Sequence, residues 1–239
     1  MKPIWYAAII VGSLAGPANA TDLASSAAPS LVPASFDLVW SGLYAGLHGG
    51  RAWGNSSLGV TATGGGWPEL GPGESYGTFD MDGFLAGAFG GYNYQMGRLL
   101  VGVEASANYA GFGYSGVLAD DVFEVNVNFV ATVTGRIGVV ADNWLFYAKA
   151  GYAGAGVSAS LVDASAPSAG SWSGNGWAHG YTVGGGVDVL LGRHILGVEY
   201  GYFSLGAADM SALDSNSVAQ VFNVDARFHA VLGRIGTRF

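Results

Sequence analysis

Val231-Leu232-Gly233-Arg234-Ile235-Gly236-Thr237-Arg238-Phe239 closes the chain, and its residues alternate in character. If this stretch is extended, one face carries Thr237, Ile235, Gly233 and Val231, and the other carries Arg238, Gly236 and Arg234. A strand with a largely apolar face and an arginine face fits a wall with lipid on one side and a polar interior on the other. The chain end therefore predicts a transmembrane β-strand.

The same strand has the opposite alternation further upstream. There the apolar face consists of Phe222, Val224, Ala226 and Phe228, and the polar face of Asn223, Asp225, Arg227 and His229. One extra residue in a strand shifts its alternation, so this conflict predicts a β-bulge between about residues 229 and 233. Without the bulge, Arg234 would lie on the same face as the upstream apolar residues, and that face is expected to meet lipid.

The amino-terminus predicts export. A positive start at Met1-Lys2, an apolar run over residues 4–14 and the small-residue site Ala18-Asn19-Ala20 are typical of a secretory signal peptide over residues 1–20. The apolar run is too short to span about 30 Å of hydrocarbon. Residues 21–39 are rich in Ala, Ser and Pro and are predicted to form a periplasmic tether, followed by a barrel over residues 40–239.

Composition narrows the class of protein further. The chain has 239 residues, 41 of them glycine, no cysteine, and 50% hydrophobic residues. After the leader no apolar run approaches 18 residues, so helical membrane spans are not expected, whereas alternating transmembrane strands give this composition. The net charge of −8 argues against nucleic acid as a partner, because such binding needs a basic face.

Alternation from residue 40 onwards predicts eight antiparallel strands. Short turns near residues 95–97, 141–143 and 191–193 alternate with four longer connections rich in Gly, Ser, Asp and Pro. This arrangement is that of an eight-stranded transmembrane β-barrel in a bacterial outer membrane, with periplasmic turns and surface loops. The predicted strands lie near residues 40–53, 80–94, 98–113, 122–140, 144–158, 177–190, 194–203 and 221–239.

Charges within the predicted strands share a face with small or polar residues. These positions predict a lumen holding three acids and three bases, which we expect to pair because an unpaired buried charge is costly. A catalytic carboxylate pair or a proton path is the alternative, but no third group singles out any two of them. The six residues of this predicted structural network are Glu104, Arg136, Lys149, Asp188, Glu199 and Arg234.

Aromatic residues lie near the predicted strand ends and indicate two girdles at the membrane interfaces. They include Trp40, Trp53, Tyr94, Trp144, Trp177 and Phe239. The four histidines have no metal-ligand spacing, and the glycine-rich stretches lack the helix that a dinucleotide-binding or nucleophile-elbow motif requires. No catalytic residue, metal site or cofactor is predicted.

Several segments together resemble the alphaproteobacterial outer-membrane β-barrel family, which includes 25- and 31-kilodalton surface proteins and is related to the opacity proteins. The segments are Trp40-Ser41-Gly42-Leu43-Tyr44-Ala45-Gly46, Gly90-Gly91-Tyr92-Asn93-Tyr94-Gln95, Gly102-Val103-Glu104, Thr134-Gly135-Arg136-Ile137-Gly138 and Gly197-Val198-Glu199-Tyr200. The resemblance covers essentially the whole mature chain and implies an eight-stranded barrel with a structural or surface-antigen role. The aromatic last residue, Phe239, also resembles the closing signature of such barrels, which is read by the barrel-assembly machinery.

The sequence thus favours a non-enzymatic barrel of the cell outer membrane, in contact with outer-membrane lipid and lipopolysaccharide. One alternative is a small porin-like channel, although an eight-stranded barrel is only wide enough for side chains to fill it. The other is a surface protein that binds an unknown ligand or partner through residues 54–79 and 159–176, where Trp67, Trp172 and Trp177 are candidate contacts.

Overall fold

The computed structural model describes residues 40–63, 75–118, 121–162, 171–213 and 219–239. The predicted signal peptide and tether lie outside these ranges. The described residues form eight β-strands of 19 to 22 residues each. The strands are β1 (Gly42–Thr63), β2 (Ser75–Met96), β3 (Leu99–Leu118), β4 (Asp121–Ala141), β5 (Trp144–Val162), β6 (Ser171–Leu191), β7 (His194–Leu213) and β8 (Ala219–Arg238).

The sheet closes on itself. Each strand pairs antiparallel with the next, and β1 pairs with β8, with Gly49 opposite Gly233. This confirms the predicted all-β, eight-stranded antiparallel barrel. Three two-residue turns, at residues 97–98, 142–143 and 192–193, lie at one end of the barrel, which we call the turn end. The opposite end, where β1 connects to β2, β3 to β4, β5 to β6 and β7 to β8, is called the loop end.

Large apolar side chains cover the outer wall beside the turn end. The exposed residues there include Leu43, Leu47, Tyr94, Met96, Leu99, Val103, Ile137, Val139, Trp144, Phe146, Leu191, Leu196, Val198 and Ile235. A sheet that turns its large apolar side chains outward suits lipid and not water. Among the described residues, no helix is long and apolar enough to cross a membrane.

The strands are about twice as long as a membrane crossing needs, since 9 to 11 tilted residues suffice. The apolar band starts at the turns, so the extra length of each strand projects beyond the hydrocarbon at the loop end. The sequence underestimated this length because Gly, Ser and Asp in the outer halves of the strands are typical of loops. For example, β2 begins at residue 75 and not near residue 80.

The predicted bulge in β8 is wrong. Pairing of β8 with both neighbours runs without a register shift through residues 229–233. Ala226, Phe228, Ala230, Leu232 and Arg234 are all buried on the inner face. Arg234 therefore faces the lumen, and the two faces over residues 226–229 are the reverse of those predicted. Outside the membrane the barrel wall meets water, so apolar side chains such as Phe228 turn inward, as they do in a soluble barrel.

Candidate functional site in the barrel lumen

The six charged residues predicted for the lumen come from six consecutive strands, one residue from each. They are Glu104 on β3, Arg136 on β4, Lys149 on β5, Asp188 on β6, Glu199 on β7 and Arg234 on β8. All six are buried, with exposed fractions of 1% to 8%. The alternation that puts one side of each strand inward brings them to a common central layer.

Glu104 is the hub of this layer. Its carboxylate lies 2.6 Å from Nη2 of Arg234, 2.9 Å from Nζ of Lys149 and 3.2 Å from Nη1 of Arg136. The hydroxyl of Tyr44 donates a hydrogen bond of 3.0 Å to the same carboxylate. One carboxylate thus receives donors from three cationic side chains and ties four other strands to β3.

Glu199 forms a second centre beside it. It lies 2.6 Å from Nζ of Lys149, accepts a hydrogen bond of 2.7 Å from Tyr147 and forms an ion pair with Nη1 of Arg234. Lys149 and Arg234 are therefore shared between the two glutamates. Sharing makes the network a single connected unit and not three separate pairs.

Asp188 is held less closely than the two glutamates. Its carboxylate lies 3.7 Å from Nη2 of Arg136 and 3.8 Å from Nε of Arg234, and within the described structure its Oδ1 has no hydrogen-bond partner. The formal charges of the layer nevertheless cancel, with three acids against three bases.

Aromatic rings pack against the two guanidinium groups. Arg136 lies 4.4 Å from the ring centre of Tyr147, and Arg234 lies 4.0 Å from that of Phe89. Such contacts favour a cation over a ring face. Inward glycines leave room for these rings: a Cβ on Gly91 would lie 2.5 Å from the Tyr44 hydroxyl, and one on Gly186 would lie 2.6 Å from the Tyr147 hydroxyl.

Apolar side chains fill the lumen on the loop side of the charges. Phe228 stacks on Phe203 with ring centres 4.5 Å apart and packs against Phe112 at 4.8 Å, so β3, β7 and β8 meet across the barrel. The sequence did not predict this layer, because apolar residues of the strands were expected to face lipid. The other buried members of the cluster include Met81, Leu85, Val125, Val127, Val130, Val157, Leu205 and Leu232.

A second apolar layer closes the turn end. Its members stand next to the turns and include Leu100, Val140, Leu145, Leu190 and Ile195. Trp40 joins them with only 1% of its surface exposed, and its backbone N–H donates to the side chain of Gln95. The placement of Trp40 in an interfacial girdle was therefore wrong, whereas Tyr94, Trp144, Trp177 and Phe239 are exposed on the outside.

The side chains of the lumen are arranged to form ion pairs and packing contacts with one another, and not to form a metal or catalytic site. In the described part of the chain, no group of three or more His, Asp or Glu residues is arranged to hold a metal ion. The buried His48 is hydrogen-bonded through Nε2 to Asn108. In the part described, the outward His179 and His229 are hydrogen-bonded to the hydroxyls of Tyr152 and Tyr200, each at 2.7 Å.

The chain is similar in sequence to outer-membrane proteins of two bacteria. It is 27% identical over 205 residues to the 25 kDa outer-membrane immunogenic protein of Brucella ovis, covering 83% of this chain and 89% of that one. It is 32% identical over 142 residues to the 22 kDa outer membrane protein of Rhizobium leguminosarum, covering 59% of this chain and 61% of that one.

Among solved structures, the outer membrane protein OprG from Pseudomonas aeruginosa is similar, with a TM-score of 0.48 and 14% identity over 85% of this chain and all of that one. No family model matches the sequence. Its sequence identity to the Brucella 25 kDa and Rhizobium 22 kDa outer-membrane proteins makes the chain their homologue, and it is itself a β-barrel protein of the cell outer membrane.

Proposed function

We propose that this protein is a non-conducting, non-enzymatic barrel that contributes to the integrity of the outer membrane and presents its loop end at the cell surface. The observation that carries the proposal is the filled lumen. A neutral six-charge layer lies between two apolar layers, and side chains of both the charged and the apolar layers meet across the barrel. Water and solutes need a continuous polar path, and the Phe112, Phe203 and Phe228 contacts interrupt such a path.

A surface role is supported by the length of the strands and by the relatives. Strands of 19 to 22 residues are about twice the length that a membrane crossing needs, so their loop-end halves project beyond the hydrocarbon. The Brucella relative is named as an immunogenic protein.

The absence of an enzymatic role is supported by the partners of the histidines. His48, His179 and His229 are hydrogen-bonded to an asparagine or a tyrosine, whereas a hydrolytic triad pairs a histidine with a nucleophile and an acid. These contacts fix the rings in place without activating a serine.

A small channel is the first competing function, and it requires the aromatic layer to move aside. Ligand binding through the loops is the second. Of its candidate contacts, Trp67 and the side chain of Trp172 lie outside the described residues. Trp177 packs on the outer wall 6.2 Å from Phe129 and donates to Tyr152, as an interfacial anchor does.

Deletion of the gene in the source bacterium tests the proposed envelope role. We expect the deletion strain to take up a hydrophobic fluorescent dye faster, and wild-type protein expressed from a plasmid to restore the barrier. Plasmid-borne Glu104→Gln, which breaks the lumen network, should restore it less well than the surface variant Glu124→Gln at equal expression. Unchanged dye uptake in the deletion strain would contradict the proposal.

A further inference from the structure

The outer wall carries a groove where β7, β8 and β1 meet. The groove has a volume of about 350 Å³ and is lined on the lipid side by Leu47, Gly49, Leu196, Gly233 and Ile235. Gly49 and Gly233 pair across the β1–β8 ladder and both project outward, so the floor of the groove is bare backbone. The three large side chains are 40% to 62% exposed and form its rims.

The fold does not require glycine at these two positions. A Cβ on Gly233 would meet no atom closer than 3.8 Å, one on Gly49 none closer than 3.6 Å, and neither residue has a positive φ. Glycine weakens a strand and often marks a place where another molecule comes close to the backbone. The gap is therefore suited to an external group that lies flat against the wall.

Polar groups lie at the loop side of the groove. Arg51 follows Gly49 by two residues on the same outward face of β1, His229 lies on the adjacent β8, and Tyr200 lies on β7 beyond it. His229 is fixed by its hydrogen bond to Tyr200 and stacks on Trp53 with ring centres 5.9 Å apart. Arg227 is also exposed, one outward position further towards the loop end.

Arg51 is held in place but retains free donors. Its Nε and Nη2 both donate to Oδ2 of Asp82, at 2.9 Å and 2.5 Å, while the side chain remains 72% exposed. A guanidinium carries five N–H donors, so this pair leaves three of them for another acceptor. The cross-strand partners of Arg51, Val231 on β8 and Phe84 on β2, are outward and apolar, whereas the next outward residues on the loop side, His229 and Asp82, are polar. Arg51 therefore lies where the outer wall changes from apolar to polar.

We propose that this wall binds one phosphate-bearing lipid of the outer leaflet. An acyl chain lies in the groove over Gly49 and Gly233, and a headgroup phosphate accepts hydrogen bonds from Arg51, with Arg227 and His229 nearby. Guanidinium is the side-chain group best matched to phosphate. An apolar groove that ends at a cation therefore complements a lipid with an apolar chain and a phosphate headgroup.

Native mass spectrometry of purified barrels with added bis-phosphorylated lipid A tests this site. We expect one tightly held lipid per barrel. Filling the groove with Gly49→Leu plus Gly233→Leu, or removing the cation with Arg51→Gln, should each weaken binding at least about tenfold, equivalent to about 1.4 kcal/mol. The matched controls Ala105→Leu, on the outer face of β3, and Arg98→Gln, in a turn, should bind as wild type does.

Three results would overturn the proposal. One is equal binding by the groove-filled and wild-type barrels, with folding of both checked by heat-dependent gel mobility. Another is equal binding of dephosphorylated lipid A, because phosphate would then not be recognised. The third is full competition by millimolar inorganic phosphate, because the site would then bind a free anion and not a lipid.

Discussion

Arg234 on β8 reaches across the lumen to Glu104 on β3, and its Nη2 lies 2.6 Å from Oε2 of the carboxylate. The two strands are separated in the barrel wall by β1 and β2, so this contact crosses the interior and does not follow the wall. It joins the carboxyl-terminal strand to the charged layer and links closure of the barrel to the filling of its lumen.

The substitution Glu104→Gln should destabilise the folded barrel by about 3–5 kcal/mol, because it leaves three buried cations short of their shared acceptor. Urea-induced unfolding in phospholipid vesicles measures the change. Glu124→Gln, at an exposed position where the carboxylate binds only Asn126 among the contacts described, is the matched control and should leave the midpoint unchanged. Equal midpoints for the two variants would mean that the network contributes nothing to stability.

Phe228→Ala should destabilise the barrel by about 3–5 kcal/mol, since it leaves a cavity between Phe112 and Phe203. The control is Phe84→Ala, because Phe84 is 51% exposed on the outer wall and its loss opens no internal cavity. The same unfolding assay applies. If Phe228→Ala unfolded at the same midpoint as the wild type, Phe228 would not fill the lumen and the assignment of faces in β8 would be wrong.

Ile235→Arg should destabilise by about 2–4 kcal/mol if the site lies near the bilayer midplane, and by less near an interface. Ile235 is 58% exposed on the outer face, while its neighbour Arg234 is buried. Arg234→Gln should act differently, by leaving lumen carboxylates unpaired. Heat-modifiable, fully stable barrels carrying Ile235→Arg would show that this face does not meet lipid.

Removal of Phe239 should lower the amount of assembled protein while leaving export across the inner membrane intact. Phe239 is 72% exposed at the end of β8, and its backbone N–H donates to the carbonyl of Leu43 on β1. We expect the assembly machinery to recognise this terminal aromatic before the barrel closes. Cell fractionation with immunoblotting measures the assembled protein, and Phe239→Tyr, which keeps the aromatic ring, is the control. Full assembly without Phe239 would contradict this role.

Single cysteines test the orientation, because the chain has none of its own. An impermeant thiol reagent applied to intact cells should label Asn175→Cys, at the loop end, and spare Asn143→Cys, in a turn. Both asparagines are exposed, so accessibility in the purified protein does not distinguish them. Labelling at position 143 alone would invert the orientation.

Alternation in the sequence was sufficient to predict the eight strands and to place the six lumen charges, because each charge had small or polar neighbours on its face. It failed for Phe228 and Trp40, where an apolar residue faces inward. Local alternation cannot reveal where along a strand the hydrocarbon ends. Within the hydrocarbon apolar residues face lipid, whereas beyond it they face the lumen. The contacts among β3, β7 and β8 join residues up to 130 positions apart, and no local pattern encodes them.

Single-channel recording in planar bilayers tests the filled lumen most directly. Purified wild-type barrels should give no steady current, because in the described barrel the Phe112, Phe203 and Phe228 layer and the paired charges lie across the lumen. The triple variant Phe112→Ala, Phe203→Ala, Phe228→Ala removes the aromatic layer on the loop side of the lumen. If it folds, its current is the comparison for that of the wild-type barrel. Reproducible open-channel current from the wild-type protein, with an ion selectivity altered by Glu104→Gln, would contradict the account and favour the channel.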